Sequence, residues 1–157
     1  MSNHEYALNS EDRSKVVDQM DHLLADSYSL YLKTHNYHWN VTGPMFTTLH
    51  TMFMTQYTEL ALAVDEIAER IRALGAFAPG SYTAFAKLTA VKEETGRPAA
   101  VDMIANLVAD QEAVCAVARR VVEAAQASKD EASADLGIRR LNIHDKNAWM
   151  LRSHLEA

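Results

Sequence analysis

The sequence predicts an all-α fold, a bundle of four long helices with one long crossover, and three observations predict it. Ala, Leu, Met, Glu and Arg, all strong helix formers, dominate the 157 residues, whereas only five glycines and three prolines occur. Apolar residues recur at helical spacing through four long stretches. The breakers cluster between those stretches. At this length, with 48% hydrophobic residues, one domain can bury a sizeable core without disulfides.

Residues 1–10 are expected as a flexible tail and 11–157 as the domain. The first helix is expected from Glu11 to His38, capped by Ser10, with Val16, Leu23, Leu24, Leu30 and Tyr31 on one side. Asn40-Val-Thr-Gly-Pro44 breaks it. Pro44 fits the first turn of a second helix, where its missing N–H is harmless, and Met45, Leu49, Met52, Phe53, Leu60, Val64, Ile67, Ile71 and Leu74 carry an apolar stripe to Gly75. From Ala76 to Arg97 the pattern lapses between turn signals at Pro79-Gly80 and Thr95-Gly96-Arg97-Pro98, leaving room for a short helix over Tyr82 to Leu88. A third helix spans Ala99 to Ala127 with Val101, Ile104, Leu107, Val108, Val114, Val117, Val121 and Val122. Ser128-Lys-Asp-Glu131 reads as a capping box that opens a fourth, reaching Leu155. Two helical hairpins joined by one long crossover form the ferritin-like variant of the four-helix bundle.

Composition narrows the function. No basic segment precedes an apolar run at the N-terminus, and no stretch approaches the roughly eighteen apolar residues of a membrane span, so a cytoplasmic protein without a membrane partner is expected. A net charge of −6 argues against a surface that coats nucleic acid and favours cations. The single cysteine, Cys115, lies in Glu112-Ala-Val-Cys-Ala-Val117, the pattern of a buried helical stripe, and is expected to be structural and reduced. The seven methionines read as core filler.

The chemistry concentrates in His38, His50, Asp65 and Glu69. Two imidazoles and two carboxylates suit Fe(II), Mn(II) or Zn(II). His38 and His50 lie about six residues on either side of Pro44, so antiparallel helices bring them to similar height. Asp65 and Glu69, four apart, share a helical face, where like charges cost roughly 0.2–0.5 kcal/mol unless a cation is near. His50 and Asp65, however, share the second helix and are about 22 Å apart along its axis. A single site made of all four therefore needs the carboxylates of a second subunit, with second helices pairing about a two-fold axis near Tyr57 and Thr58, where the small Ala61 and Ala63 permit close approach. By spacing alone, a solvated face of Glu66–Arg70 and Glu69–Arg72 ion pairs, with histidines that cap or pack, accounts for the same residues.

His35-Asn-Tyr-His-Trp-Asn-Val-Thr-Gly-Pro44, Leu49-His50, Tyr57-Thr-Glu-Leu60, Asp65-Glu-Ile-Ala-Glu-Arg-Ile-Arg-Ala-Leu-Gly75 and Ala148-Trp-Met-Leu-Arg152 together resemble the Dps family, the DNA-protection-during-starvation proteins or miniferritins. The resemblance covers nearly the whole chain after the first dozen residues. It implies a bacterial homo-oligomer, a hollow shell of twelve subunits, with ferroxidase sites at its two-fold interfaces and His38, His50, Asp65 and Glu69 as iron ligands. It further implies oxidation of Fe(II) by hydrogen peroxide and storage of a ferric mineral, which protects against oxidative damage. Zinc is a possible substitute at such a site. The larger ferritins use an intrachain Glu-x-x-His motif, and none occurs in this chain.

By the same resemblance, Trp39 would lie near the iron as a radical quencher, and Asp130, Glu131 and Asp135 would line an iron-entry pore. Met54 and Ala61 stand where members of the family often carry acidic residues, implying one tight metal per site. His22, His35, His144 and His154 read as surface or packing residues. Met1 to Ser14 holds Glu5, Glu11 and Asp12 against Arg13 alone, so DNA binding is expected to be weak or absent. The alternative reading is a DNA-compacting shell with little ferroxidase activity.

Overall fold

A computed structural model describes residues 8–156. Among them are five helices and no strand: α1 (Ser10–Asn40), α2 (Phe46–Ala73), α3 (Tyr82–Leu88), α4 (Ala100–Ala127) and α5 (Glu131–Arg152). Residues 1–7 of the expected tail, Glu5 included, lie outside the described residues.

The helices fall where periodicity places them, and the differences lie at their ends. Asn9, not Ser10, caps α1, its side-chain oxygen accepting from the Asp12 N–H at 2.8 Å. Asn and Ser cap about equally well, so the sequence alone could not rank them. Gly43, at φ 103°, turns the chain and accepts from the Phe46 N–H at 3.0 Å. Pro44 therefore sits in the turn before α2 rather than in its first helical turn, a place its fixed φ also suits. Ser128-Lys-Asp-Glu131 is not a capping box. Ser128 closes α4 by donating to the Ala124 carbonyl at 2.9 Å, Lys129 takes φ 57°, and Asp130 caps α5 by accepting from the Ser133 N–H at 3.1 Å. With only three residues between the helices, Ser128 is used up in ending the first of them. The last helix stops at Arg152, short of Leu155, where Ser153 donates to the Trp149 carbonyl at 2.9 Å.

Side-chain partners fix the topology. Tyr31 meets Tyr57, Tyr37 meets Phe53 and His38 meets His50, so α1 and α2 are antiparallel. Gln19 meets Arg120, Lys33 meets Asp110 and Tyr37 meets Asn106, so α1 and α4 are antiparallel as well. It follows that α2 and α4 run parallel, which requires the crossover. Cys115 with Asp145 and Glu112 with Arg152 make α4 and α5 a second hairpin. Leu24, Leu30, Phe53, Leu60, Ile67, Ile104, Leu107, Val114 and Val121 fill the space between. Val101 is an exception to its expected stripe and lies exposed, and of the methionines Met20, Met52 and Met103 are buried whereas Met54 and Met150 face solvent.

The crossover is tied to α1 by polar groups. Asp26 accepts from the Thr89 hydroxyl at 2.8 Å and the Ala90 N–H at 2.7 Å, and Lys33 donates to the Lys92 carbonyl at 2.8 Å. His22 donates to the Leu88 carbonyl at 3.0 Å, and Tyr37 donates to Glu94 at 2.5 Å. These bonds hold α3 beside α1.

Gly137 lets α5 approach α4. A Cβ there would meet Val122 Cγ2 at 2.8 Å and the Ala118 carbonyl oxygen at 3.3 Å. Valine is stiff at χ1 and cannot swing away cheaply. The expected result for Gly137→Ala is a net destabilisation of about 1 kcal/mol, because overpacking at 1–3 kcal/mol outweighs the helix-propensity gain. Thermal unfolding measures it, and an unchanged or raised midpoint would contradict it.

Candidate metal centre

The turn at Gly43 places the end of α1 against the start of α2, and there His38 and His50 meet. Their rings stack with centroids 3.7 Å apart and planes 16° from parallel. His38 Nδ1 lies 2.7 Å from the His50 carbonyl oxygen, and His50 Nδ1 lies 2.7 Å from the His38 carbonyl oxygen. A carbonyl only accepts, so each Nδ1 carries the proton and donates. In the neutral rings this leaves Nε2 of both histidines with its lone pair free, and neither has a partner among the described residues. A second bond that fixes tautomer and orientation is what metal-binding histidines ordinarily have. His38 is buried and His50 half-buried.

Asp65 and Glu69 lie farther along α2, both exposed and without a hydrogen-bond or ion-pair partner among the described residues. Because α2 is unbroken between His50 and Asp65, the separation is about 22 Å along the helix. One subunit thus joins the two histidines and keeps the two carboxylates apart from them. Among the described residues, no three His, Cys, Asp or Glu side chains of one chain converge as a metal-holding group.

The alternative of helical ion pairs on this face does not form. Glu66 instead accepts from Arg139 of α5 at 2.6 Å, which holds its carboxyl below the usual range. Arg70 reaches Asp130 and Ser133, both at 2.9 Å, and Arg72 packs over the Phe77 ring. Each arginine neighbouring the Asp65–Glu69 pair is drawn elsewhere.

Trp39 is exposed and packs against His35, with centroids 3.9 Å apart and planes tilted by 37°. His35 also meets Tyr57 at 4.2 Å, and Tyr57 meets His38 edge-on at 5.1 Å. Sequence reasoning placed His35 only as a surface or packing residue and Tyr57 only as a motif residue near the expected axis, with no role for either beside the histidine pair. Their positions three residues before His38 and seven after His50 were the available signal.

Of the three acids proposed for a pore, Asp130 is buried and committed to the α5 cap and to Arg70. Asp135 is exposed and pairs with Arg139 at 2.9 Å, and Glu131 is exposed. Cys115 is half-buried and donates to Asp145 at 3.3 Å. Burial and that carboxylate push its thiol up to about 12, which makes it a poor nucleophile. A chain of polar groups, buried except at Glu59 and absent from the sequence reading, links three helices. Arg140 donates to both oxygens of Glu59, at 2.6 and 2.9 Å, and to His144 Nε2 at 3.0 Å. The Nδ1 proton of His144 goes to Gln111 at 2.6 Å. No helix among the described residues is long and apolar enough to cross a membrane.

The chain has relatives of known family and fold. Residues 17–157 match the ferritin-like domain family. The chain is 40% identical to a low temperature-induced protein of Nostoc, over 95% of this chain and 84% of that protein. It is 36% identical to DNA protection during starvation protein 2 of Bacillus anthracis, over 90% of this chain and 97% of that protein. A crystal structure from Vibrio cholerae, described as a Dps protein and a member of a broad superfamily of ferritin-like diiron-carboxylate proteins, superposes with a TM-score of 0.93. Its identity is 30%, covering 99% of this chain and 98% of that one.

Proposed function

This chain belongs to the Dps family of ferritin-like proteins, and we propose on that premise that it is an iron-storing ferroxidase whose sites are shared between subunits. Fe(II) is its substrate. His38 and His50 of one subunit and Asp65 and Glu69 of a two-fold partner hold the ion, and hydrogen peroxide takes the electrons. Two ferrous ions and two protons reduce one peroxide to two waters, so no radical is released when the electrons arrive in pairs. The ferric product is stored as mineral inside a closed shell of twelve subunits.

One observation carries this reading: the reciprocal His38–His50 lock, which presents two bare Nε2 lone pairs and no bond that would use them among the described residues of the subunit. The two carboxylates complement them in charge and chemistry, since oxygen donors stabilise the ferric product. Zinc would occupy the same donors without redox chemistry. Trp39, exposed beside His35, stands where it can quench a stray radical. Glu131 and Asp135 are the acids that remain to draw cations toward an entry pore. A cytoplasmic location follows from reduced iron as the substrate. DNA binding is weak, because Lys15, the lysine nearest the start of α1, is already paired with Glu11 at 3.0 Å.

The assay is Fe(II) oxidation by stoichiometric peroxide, followed optically with and without protein. Oxidation well above the buffer rate, with protection of added DNA from hydroxyl-radical cleavage, is the expected result. Rates equal to the buffer blank would end the proposal.

A further inference from the structure

Four of the six tyrosines form one row from the histidine pair to the outer surface of the crossover. Tyr57, in edge-on contact with His38 at 5.1 Å, is followed by Tyr31 at 6.0 Å, Tyr28 at a further 6.0 Å and Tyr82 at 6.4 Å, centroid to centroid. Tyr82, on α3, is 74% exposed. A branch enters from Trp39 through His35, at 3.9 Å, and His35 meets both Tyr57 at 4.2 Å and Tyr31 at 5.5 Å. Positions 28, 31, 35 and 39 are one stripe of α1, three or four residues apart, and the polar bonds of the crossover hold α3 at the end of that stripe.

We propose that this row conducts oxidising equivalents, one electron at a time, from the metal centre to Tyr82, where a soluble thiol quenches them. The proposal deepens the ferroxidase reading and rests on it for the source of the oxidant. Packing alone would be served by phenylalanine. A buried phenol normally finds a hydrogen-bond partner, yet none of these four hydroxyls bonds to protein among the described residues, and none of the four rings is fully buried. An oxidised phenol here can release its proton to water. Tyr37, fully buried with its hydroxyl on Glu94, has only Phe53 as a ring neighbour among the described residues and lies off the row.

The chemistry balances at each step. When a single ferrous ion meets peroxide, one electron moves, giving ferric iron, hydroxide and a hydroxyl radical. That radical takes the hydrogen atom of the Tyr57 O–H bond, becoming water and leaving a phenoxyl. Tyr31 then passes one electron to Tyr57 and its hydroxyl proton to water, while Tyr57 recovers a proton from water. The same exchange moves the hole to Tyr28 and on to Tyr82. These steps interconvert like groups and cost little either way, so the direction comes from the end. A thiol S–H bond breaks there, its hydrogen atom restores the Tyr82 phenol, and two thiyl radicals couple to a disulfide.

Tyrosine-to-phenylalanine variants keep each ring and remove the oxidisable O–H, so they separate conduction from packing. In the metal-free protein carrying Trp149→Phe, Trp39 is the remaining indole, and azide radicals from pulse radiolysis oxidise it selectively. The indolyl absorption is expected to decay as phenoxyl absorption grows, at a rate independent of protein concentration, and the double variant Tyr57→Phe/Tyr31→Phe, which removes both phenols that meet His35, is expected to abolish that growth. With Fe(II) and peroxide, a biotin-phenol trap is expected to label Tyr82 by mass spectrometry. Tyr31→Phe is expected to lose the label while Fe(II) oxidation and thermal unfolding stay unchanged. Phenoxyl growth that survives the Tyr57→Phe/Tyr31→Phe double variant, or Tyr82 labelling that survives Tyr31→Phe, overturns the proposal. If the protein fails to accelerate Fe(II) oxidation but the metal-free transfer is lost in the Tyr57→Phe/Tyr31→Phe double variant, the row conducts and the iron reading is what falls.

Discussion

His50→Ala and Asp65→Ala subunits, each inactive alone, are expected to recover about a quarter of wild-type Fe(II) oxidation when mixed equally and allowed to exchange. The argument is geometric. One variant retains carboxylates and lacks a histidine, and the other retains histidines and lacks a carboxylate. A two-fold pair containing one of each has one site with both defects and one site with neither. Equal random mixing makes about half the pairs hybrid, so about a quarter of all sites are intact. The loss in each pure variant is expected to be complete, because removing one of four ligands leaves the ion held by groups that are individually weak. Optical Fe(II) oxidation, with native mass spectrometry to verify exchange, measures the recovery. No recovery in verified hybrids would show that the carboxylates do not serve a partner's histidines.

How much of this was legible in the sequence follows the range of the interactions. Tyr82–Leu88 matched its expected bounds because breakers flank it closely and its apolar run is short. Helix caps were less legible, since Asn9 and Ser10 are chemically interchangeable and only the path of the chain chooses between them. The histidine pair was readable because a turn of fixed length places residues on either side of Gly43 opposite one another. Its reciprocal hydrogen bonds were not, because tautomers depend on carbonyl positions. The Glu66–Arg70 pair of the alternative reading lost to Arg139 and Asp130 because the two helices lie close enough for longer-range partners. Glu59 and Arg140, 81 residues apart, carried no local signal at all.

That pair supplies the largest stability effect expected here. Glu59→Gln is expected to destabilise the fold by about 3 kcal/mol, the low end of the cost of leaving a buried charge without its counter-ion, since Glu59 itself is a third exposed. Arg140 is 2% exposed, and its guanidinium would be left with the neutral amide and His144. The same network makes the protein acid-sensitive. Burial and the adjacent Arg140 hold the His144 imidazole well below its usual value of 6.5. The unfolded chain therefore takes up a proton near pH 6.5 that the folded chain refuses. This contribution is fully present above pH 6.5 and is lost as pH falls from there toward the depressed folded value, at about 1.4 kcal/mol per pH unit. Asp26 and Asp110, whose burial raises their carboxyls, act with the opposite sign, so the test compares variants rather than absolute curves. Denaturant unfolding of wild type and His144→Gln across pH 7.5 to 5 is expected to show a flatter dependence in the variant, roughly by that slope. Parallel curves would mean that His144 titrates alike in both states, and that its bonds to Arg140 and Gln111 do not govern its proton.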